Sequence, residues 1–254
     1  VYWWLDGYVD LTDKQKPFVK ETLRHLHQWH RQSQLPEYVV FLQKVRALAP
    51  HEIQAEQACS IMQDVQNAFV TLVHHVEPES VQLIGQLQAS QFQNIRKKYD
   101  KLNKNWREDY MDGSNDKRMR YRAKQLLSRL EDFYGTLDAP QKEIIKQWIA
   151  KSSFNPATSY ADRLRRQNDA IQTFTRISQS SSGSSASQAQ LRGWLDRSLH
   201  PPEEVLHKYS LTLKQENCEG FAKLHNSTTR AQRERLAENL LQYENILHNL
   251  ALKK

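Results

Sequence analysis

The chain has 254 residues, of which 39% are hydrophobic and 26% charged, and its formal net charge at pH 7 is +7. This apolar content is sufficient for a buried core, so the composition excludes an intrinsically disordered chain. Seven glycines and eight prolines are few for this length, and abundant Leu, Gln, Lys, Arg and Glu are typical of long helices. No segment alternates apolar and polar residues as a strand would, and no apolar run could span a bilayer. The sequence therefore predicts an all-α protein.

Helix start and stop signals divide the chain into about ten predicted helices joined by short links. The first is an amphipathic run that ends near Arg31, and Pro36 suits the first turn of the second. A third should cover about 51–75, where apolar residues recur at helical spacing. The remaining predicted helices cover about 80–110, 117–134, 139–151, 159–178, 189–199, 202–225 and 229–252. This pattern predicts a multi-helix bundle.

One link differs from the others in composition. Residues 178–188 are almost entirely serine, glycine and glutamine. Such a segment has no apolar surface to bury. We therefore expect a mobile loop there, inserted between two helices.

A short pattern recurs four times at or near a predicted helix start. It consists of an apolar residue or threonine, a capping position, any two residues and a glutamine. In a capping box the side chain of the capping residue accepts a hydrogen bond from the backbone amide of the glutamine. The glutamine side chain in turn accepts one from the backbone amide of the capping residue. Thr12, Asp138 and Thr229 suit such caps, whereas Gln88 does not. The four copies are Leu11-Thr12-x-x-Gln15, Leu87-Gln88-x-x-Gln91, Leu137-Asp138-x-x-Gln141 and Thr228-Thr229-x-x-Gln232.

The spacing of these copies indicates an internal duplication. Gln15 and Gln141 are separated by nearly the same length of chain as Gln91 and Gln232, and the difference is close to the length of the serine-rich segment. The sequence therefore predicts two related helical halves. They are an N-terminal half, 1–135, and a C-terminal half, 136–254, that contains the serine-rich loop.

The two cysteines, Cys59 and Cys218, have neither CxxC nor zinc-site spacing. A disulfide is permitted, but the preferred interpretation is two separate thiols on helix faces. His25, His27 and His30 lie close in sequence without converging on one helix face, so we expect no metal site.

The positive charge is concentrated in residues 96–130, which hold twelve Lys or Arg and five acids. Aromatic residues within this segment would suit a nucleic-acid surface, but the acids interrupt the positive run. A solvated helix face is the preferred interpretation, and nucleic-acid binding is disfavoured.

No hydrolase, phosphate-loop or zinc-protease motif occurs, so we expect neither an enzyme nor a cofactor. A possible binding groove is suggested where an aromatic ring, an imidazole and a guanidinium cluster near a predicted helix end. In the alternative interpretation, Trp29 packs at a helix corner and Arg31 complements the helix dipole. The groove residues would be Trp29, His30, Arg31, Glu37 and Tyr38.

The N-terminal stretch resembles a known family. The run Trp3-Trp4-Leu5-Asp6-x-Tyr8-Val9-Asp10-Leu11-Thr12-x-x-Gln15, followed by Trp29-His30-Arg31-x-x-x-Leu35-Pro36-x-Tyr38, resembles the proteobacterial lipoproteins of unknown function in DUF family 6279. This resemblance implies a processed, periplasmic protein of a Gram-negative bacterium. Its lipid-modified cysteine would lie upstream of Val1 and anchor it to a membrane.

The Leu-Thr-x-x-Gln copies are similar to those of the periplasmic proteins Spy and CpxP. That similarity implies helical hairpins, here fused into a pseudo-dimer, and binding of unfolded polypeptide or sensing of envelope stress. We therefore expect a non-enzymatic lipoprotein that binds a protein client, a peptide or another cell-envelope component in a chaperone-like way. It would contact a membrane only through the lipid anchor. Alternatives are a metal- or stress-sensing regulatory module and a nucleic-acid binder that uses residues 96–130.

Overall fold

The computed structural model describes residues 1–180 and 184–252, and these form α-helices with no strand among them. The all-α prediction is therefore confirmed, as is the prediction of a bundle of about ten helices. In chain order the elements are α1 (Tyr2–Val9), α2 (Gln15–Trp29), a π-helical segment (His30–Gln34), α3 (Leu35–Leu48), α4 (Ala55–His75), α5 (Glu77–Ile84), α6 (Ala89–Tyr110), α7 (Asn115–Tyr134), α8 (Ala139–Lys151), α9 (Pro156–Gln179), α10 (Ser185–Leu199), α11 (Glu204–Asn226) and α12 (Arg230–Leu252). Within these ranges, none of the helices combines the length and hydropathy that crossing a bilayer requires.

The π-helical segment joins α2 and α3 without the break expected before Pro36. The amide of Leu35 donates to the carbonyl of His30, which is the wider π-type hydrogen bond. Pro36 has no amide and its ring crowds the carbonyl four residues earlier. One wide turn accommodates the proline, so the chain stays helical from Gln15 to Leu48.

The serine-rich loop is shorter than the predicted 178–188. Helix α9 continues to Gln179, and Ser184 caps α10 by accepting the amide of Ser187, which is fully buried. Serine is a favourable cap residue, so the run supplies a helix start as well as a link. The predicted mobility of residues 181–183 concerns positions outside the described residues.

The chain folds into two compact units, each built from three separate segments. Unit 1 consists of Val1–His27, Phe69–Met111 and Asn155–Lys208, and unit 2 of Gln28–Ala68, Asp112–Phe154 and Tyr209–Lys254. Unit 1 contains the first two motif copies and unit 2 the last two. The units are discontinuous, whereas the proposed halves 1–135 and 136–254 are continuous, because residues 28–68 pack in unit 2 and 155–208 in unit 1. The duplication itself stays a prediction.

Unit 1 is held by two clusters of buried apolar residues. The first joins α1, α2, α6 and α9 through Val9, Leu11, Val19, Ile95 and Ile171. The second joins α5, α9 and α10 through Val81, Ile84, Ile177 and Leu191.

Unit 2 has a larger cluster that joins the end of α3 to α7, α8, α11 and α12, and in this unit α3 also packs along α12. A second cluster contains Ile53, Ala58, Cys218 and Ala222. The main cluster contains Ala49, Leu130, Tyr134, Leu137, Ile145, Leu224, Leu236 and Leu240.

The preferred interpretation of the cysteines was wrong. Cys59 of α4 and Cys218 of α11 form a disulfide, with 5.3 Å between their Cα atoms, although 159 residues separate them in sequence. Both belong to unit 2, where the packing of α4 on α11 brings them together. That packing cannot be inferred from cysteine spacing.

Candidate functional site

The motif glutamines of unit 1 bind each other. Gln15 Nε2 donates to Gln91 Oε1 at 3.2 Å, and Gln91 Nε2 donates to Gln15 Oε1 at 2.8 Å. Each Nε2 also donates to a backbone carbonyl next to the partner motif, that of Gln86 or Asp10. Each Oε1 additionally accepts its own cap amide, that of Thr12 or Gln88.

The motif glutamines of unit 2 form an equivalent pair. Gln141 Nε2 lies 2.7 Å from Gln232 Oε1, and Gln232 Nε2 lies 3.0 Å from Gln141 Oε1. Gln141 also donates to the carbonyl of Ser227 and Gln232 to that of Thr136. Their oxygens accept the amides of Asp138 and Thr229.

The four glutamine carboxamides thus make the same set of bonds. Each carboxamide uses two N–H donors and two acceptor positions, which is its full capacity. The backbone carbonyl that each carboxamide reaches belongs to the residue two positions before the capping residue of the partner motif. The residue four positions after each glutamine is buried, namely Val19, Ile95, Ile145 and Leu236. The motif therefore joins two helix starts within each unit, and its bonds leave no carboxamide group free for a ligand.

The predicted caps form at two of three positions. Asp138 Oδ1 accepts the amide of Gln141 at 2.8 Å, and Thr229 Oγ1 accepts that of Gln232 at 3.2 Å. At the first copy the amide of Gln15 donates to the backbone carbonyl of Thr12 instead. The side-chain cap predicted for Thr12 is therefore wrong, because a tight turn already satisfies that amide. Leu11 and Leu137, which precede the caps, are buried as expected.

Unit 2 contains an apolar cavity of about 330 Å³ that is open to solvent on one side. Its walls come from α3, α4, α7, α8, α11 and α12 and from the link between α3 and α4. One of the lining residues, Leu236, lies one turn after the motif residue Gln232 on α12. The lining residues are Val45, Leu48, Ala49, Ile53, Ala58, Ile61, Met62, Leu126, Tyr134, Trp148, Asn217, Phe221, His225 and Leu236.

Two of the polar side chains in the cavity wall satisfy each other. Tyr134 Oη lies 2.8 Å from His225 Nδ1, and His225 Nε2 lies 2.8 Å from the carbonyl oxygen of His51. The carbonyl requires a proton on Nε2, so Nδ1 of the neutral ring accepts from the tyrosine. Burial lowers the pKa of His225, with a smaller contribution from the positive charge of Arg233, and burial raises the pKa of Tyr134. Both groups are therefore neutral and paired at neutral pH.

A disulfide lies next to one lining residue of the cavity, and an indole ring forms another part of the wall. Cys59 and Cys218 connect α4 to α11, and Met62 Sδ lies 3.8 Å from Cys218 Sγ. Trp148 of α8 lies against Gly220 of α11, where an added Cβ would come within 2.2 Å of the ring. Only glycine at this position allows the indole to approach α11 so closely.

Comparison with known protein families identifies residues 7–198 as a match to a family of unknown function, DUF6279. The chain belongs to this family. The matched region contains the first three motif copies and the cavity residues of α3, α4, α7 and α8. It does not contain the last motif copy or the cavity residues of α11 and α12. No curated protein and no solved structure matches the chain.

In this DUF6279 protein the suggested groove residues do not line the cavity. Trp29 ends α2, His30 and Arg31 lie in the π-helical segment, and Glu37 and Tyr38 lie in the first turn of α3. The structure brings two of them together, since the rings of His30 and Tyr38 make an edge contact at 5.4 Å. Glu37 is exposed. The site found instead, the cavity, is built from residues widely separated in sequence.

The other sequence candidates are also placed by the structure of this DUF6279 protein. The basic segment 96–130 is divided, with 96–111 in unit 1 and 112–130 in unit 2. Over the described ranges, no group of three or more His, Cys, Asp or Glu side chains has the arrangement of a metal site. Neither feature competes with the cavity as a candidate functional site.

Proposed function

We propose that this protein is a non-catalytic binding protein that holds apolar side chains of a polypeptide in the cavity of unit 2. The observation that carries the proposal is the cavity itself. Ten of its lining residues have aliphatic, aromatic hydrocarbon or thioether side chains. The polar side chains of Tyr134 and His225 are already hydrogen-bonded to each other. A water molecule needs two to four polar partners to be held well. Apolar groups would therefore be favoured over water there.

The size of the cavity favours side chains over larger groups. A volume of about 330 Å³ is many times the space that one water molecule needs, so more than one apolar side chain can enter. At the edge, the exposed Asn217 presents an amide that can donate to and accept from a peptide backbone. This combination suits an extended polypeptide segment.

The cellular setting belongs to the same proposal. The disulfide between Cys59 and Cys218 is compatible with an oxidising compartment such as the periplasm. The resemblance of the N-terminal stretch to bacterial lipoproteins supports attachment to a membrane through an upstream lipid. The Leu-Thr-x-x-Gln pattern supports a chaperone-like role for polypeptide binding.

The test uses two neighbouring positions of α4. Met62 lines the cavity and is 41% exposed, whereas Val65 is 55% exposed and is not a lining residue. Met62→Trp should fill the cavity mouth, and Val65→Trp adds the same ring one turn away. Binding of a fluorescent peptide with two adjacent leucines would be followed by anisotropy, and suppression of aggregation of a denatured client by light scattering.

We expect Met62→Trp to weaken peptide binding at least about tenfold, the equivalent of 1.4 kcal/mol, and to reduce the suppression of aggregation. Val65→Trp should leave both unchanged. Absence of peptide binding by the unsubstituted protein would contradict the proposal, as would equal binding by the Met62→Trp variant.

The alternative functions predict different results. A metal- or stress-sensing module should bind a divalent metal through histidine, and a nucleic-acid binder should lose affinity steeply as salt increases. No observation on the described residues favours either alternative over the cavity.

A further inference from the structure

Helix α1 presents two tryptophans to solvent. Trp3 is 83% exposed and Trp4 is 66% exposed. The opposite side of the helix holds it on unit 1, because Tyr2, Leu5, Tyr8 and Val9 pack in the first cluster of that unit. Exposed apolar residues that occur together indicate an interaction surface rather than a feature of the core.

Each exposed tryptophan belongs to a Trp–Tyr–Lys set. The ring of Trp3 contacts that of Tyr2 at 5.3 Å, and Lys20 Nζ lies 5.4 Å from the centre of the Tyr2 ring. In the second set, Trp4 contacts Tyr8 at 4.7 Å, and Lys98 Nζ lies 5.3 Å from the Tyr8 ring. The cations thus contact the tyrosine rings that adjoin the tryptophans.

Neither of these lysines is directly paired with a carboxylate. Within residues 1–180 and 184–252, neither Lys20 nor Lys98 forms an ion pair with a carboxylate. Asp6 accepts the backbone amide of Leu11, and Asp10 accepts from the side chain of Asn94. The surface therefore combines aromatic rings that suit an apolar boundary with two positive charges that can bind anions.

We infer that α1 is a docking element for the surface of an anionic lipid bilayer. Tryptophan and tyrosine favour the boundary between headgroups and acyl chains, and lysines beside them attract anionic headgroups. Gly7, with no neighbouring atom within 4 Å of an added Cβ, leaves the outer side of α1 open to a flat partner. This contact is independent of the cavity of unit 2 and of any lipid attached upstream.

The test is co-sedimentation of the chain of residues 1–254 with vesicles of phosphatidylcholine, alone or with about one-third phosphatidylglycerol, at ~0.1 M salt. We expect binding to the anionic vesicles and little to the neutral ones. Trp3→Ser combined with Trp4→Ser should weaken this binding at least about tenfold. Lys20→Gln combined with Lys98→Gln should remove most of the preference for phosphatidylglycerol.

Exposed residues elsewhere provide the control. Val205 and Leu211 are 77% and 52% exposed on α11, and Val205→Ser with Leu211→Ser should bind vesicles as the unsubstituted chain does. Circular dichroism should show unchanged melting for the tryptophan variant, because Tyr2, Leu5 and Tyr8 remain. The inference is wrong if the unsubstituted chain does not sediment with anionic vesicles, if the tryptophan variant binds equally well, or if neutral vesicles bind as strongly.

Discussion

The side-chain amides of Gln141 and Gln232 donate to each other across two helix starts, at 2.7 and 3.0 Å. Gln15 and Gln91 do the same in unit 1. In both units these bonds also satisfy cap amides and carbonyls of the links before each helix. The recurring motif therefore has a structural role in both units.

Gln141→Leu should destabilise unit 2 by about 2–4 kcal/mol, because buried donors and acceptors that lose their partners are costly. The change leaves the amide of Asp138 and the carbonyl of Ser227 without this glutamine, and it removes both bonds to Gln232. Urea unfolding would measure the loss. Gln147→Leu on the same helix is the control, since Gln147 is exposed and bonds only to Glu143. Equal stabilities for the two variants would show that the glutamine pair contributes little.

Asp138→Ala should cost about 0.5–2 kcal/mol, as expected for the loss of a side-chain cap. Thr12→Ala should cost only a few tenths of a kcal/mol, because the amide of Gln15 donates to the backbone carbonyl of Thr12 and not to its side chain. Thermal melting of both variants would establish the order. A larger loss for Thr12→Ala would contradict the assigned hydrogen bonds. Loss of peptide binding by Thr12→Ala without a change in melting would instead assign the motif to the binding site.

Replacing both Cys59 and Cys218 by serine should destabilise unit 2 by about 2–5 kcal/mol, because the disulfide closes a long loop in the unfolded chain. The loop spans 159 residues. Hydrogen exchange should become faster in α4 and α11, which the disulfide connects, while α9 in unit 1 should keep its protection. Uniform acceleration in both units would indicate that the disulfide stabilises the whole chain cooperatively.

His225 should make the stability of unit 2 depend on pH. Burial lowers its folded-state pKa below the ordinary 6.5, so the unfolded chain binds the proton more readily. The neutral ring stabilises the fold in full when the pH is above the pKa of His225 in the unfolded chain. This stabilisation is lost as the pH falls from 6.5 toward the lower pKa of His225 in the folded protein. His225→Gln should flatten that part of the profile. Urea midpoints between about pH 7.5 and 5 would measure it, and an unchanged slope in the variant would assign the dependence to other groups.

Much of the fold follows from local patterns in the sequence. The predicted helix over 139–151 agrees with α8, and those over 117–134 and 229–252 differ from α7 and α12 by only one or two residues at their starts. Glycine, proline and cap residues limit these helices directly. Helices α1 and α5 have only eight residues each, too few for apolar periodicity to be distinct, and their formation depends on packing.

The candidate site was less accessible from the sequence. Its residues come from six helices and a link, and Met62 and Phe221 become neighbours of one cavity only through tertiary packing. On α4, Val65 and Phe69 follow the apolar spacing of the helix but are half exposed. Periodicity shows which residues share a helix face, whereas the partner that covers the face is set by segments far away in sequence.

Methyl NMR during titration with the two-leucine peptide would show whether the cavity of unit 2 binds apolar side chains. We predict that resonances of Ile53, Ile61 and Leu126, which line the cavity, shift in a saturable way. Those of Ile95 and Ile171, in the core of unit 1, should not. Saturable binding that leaves the three cavity methyls unchanged would contradict the proposal.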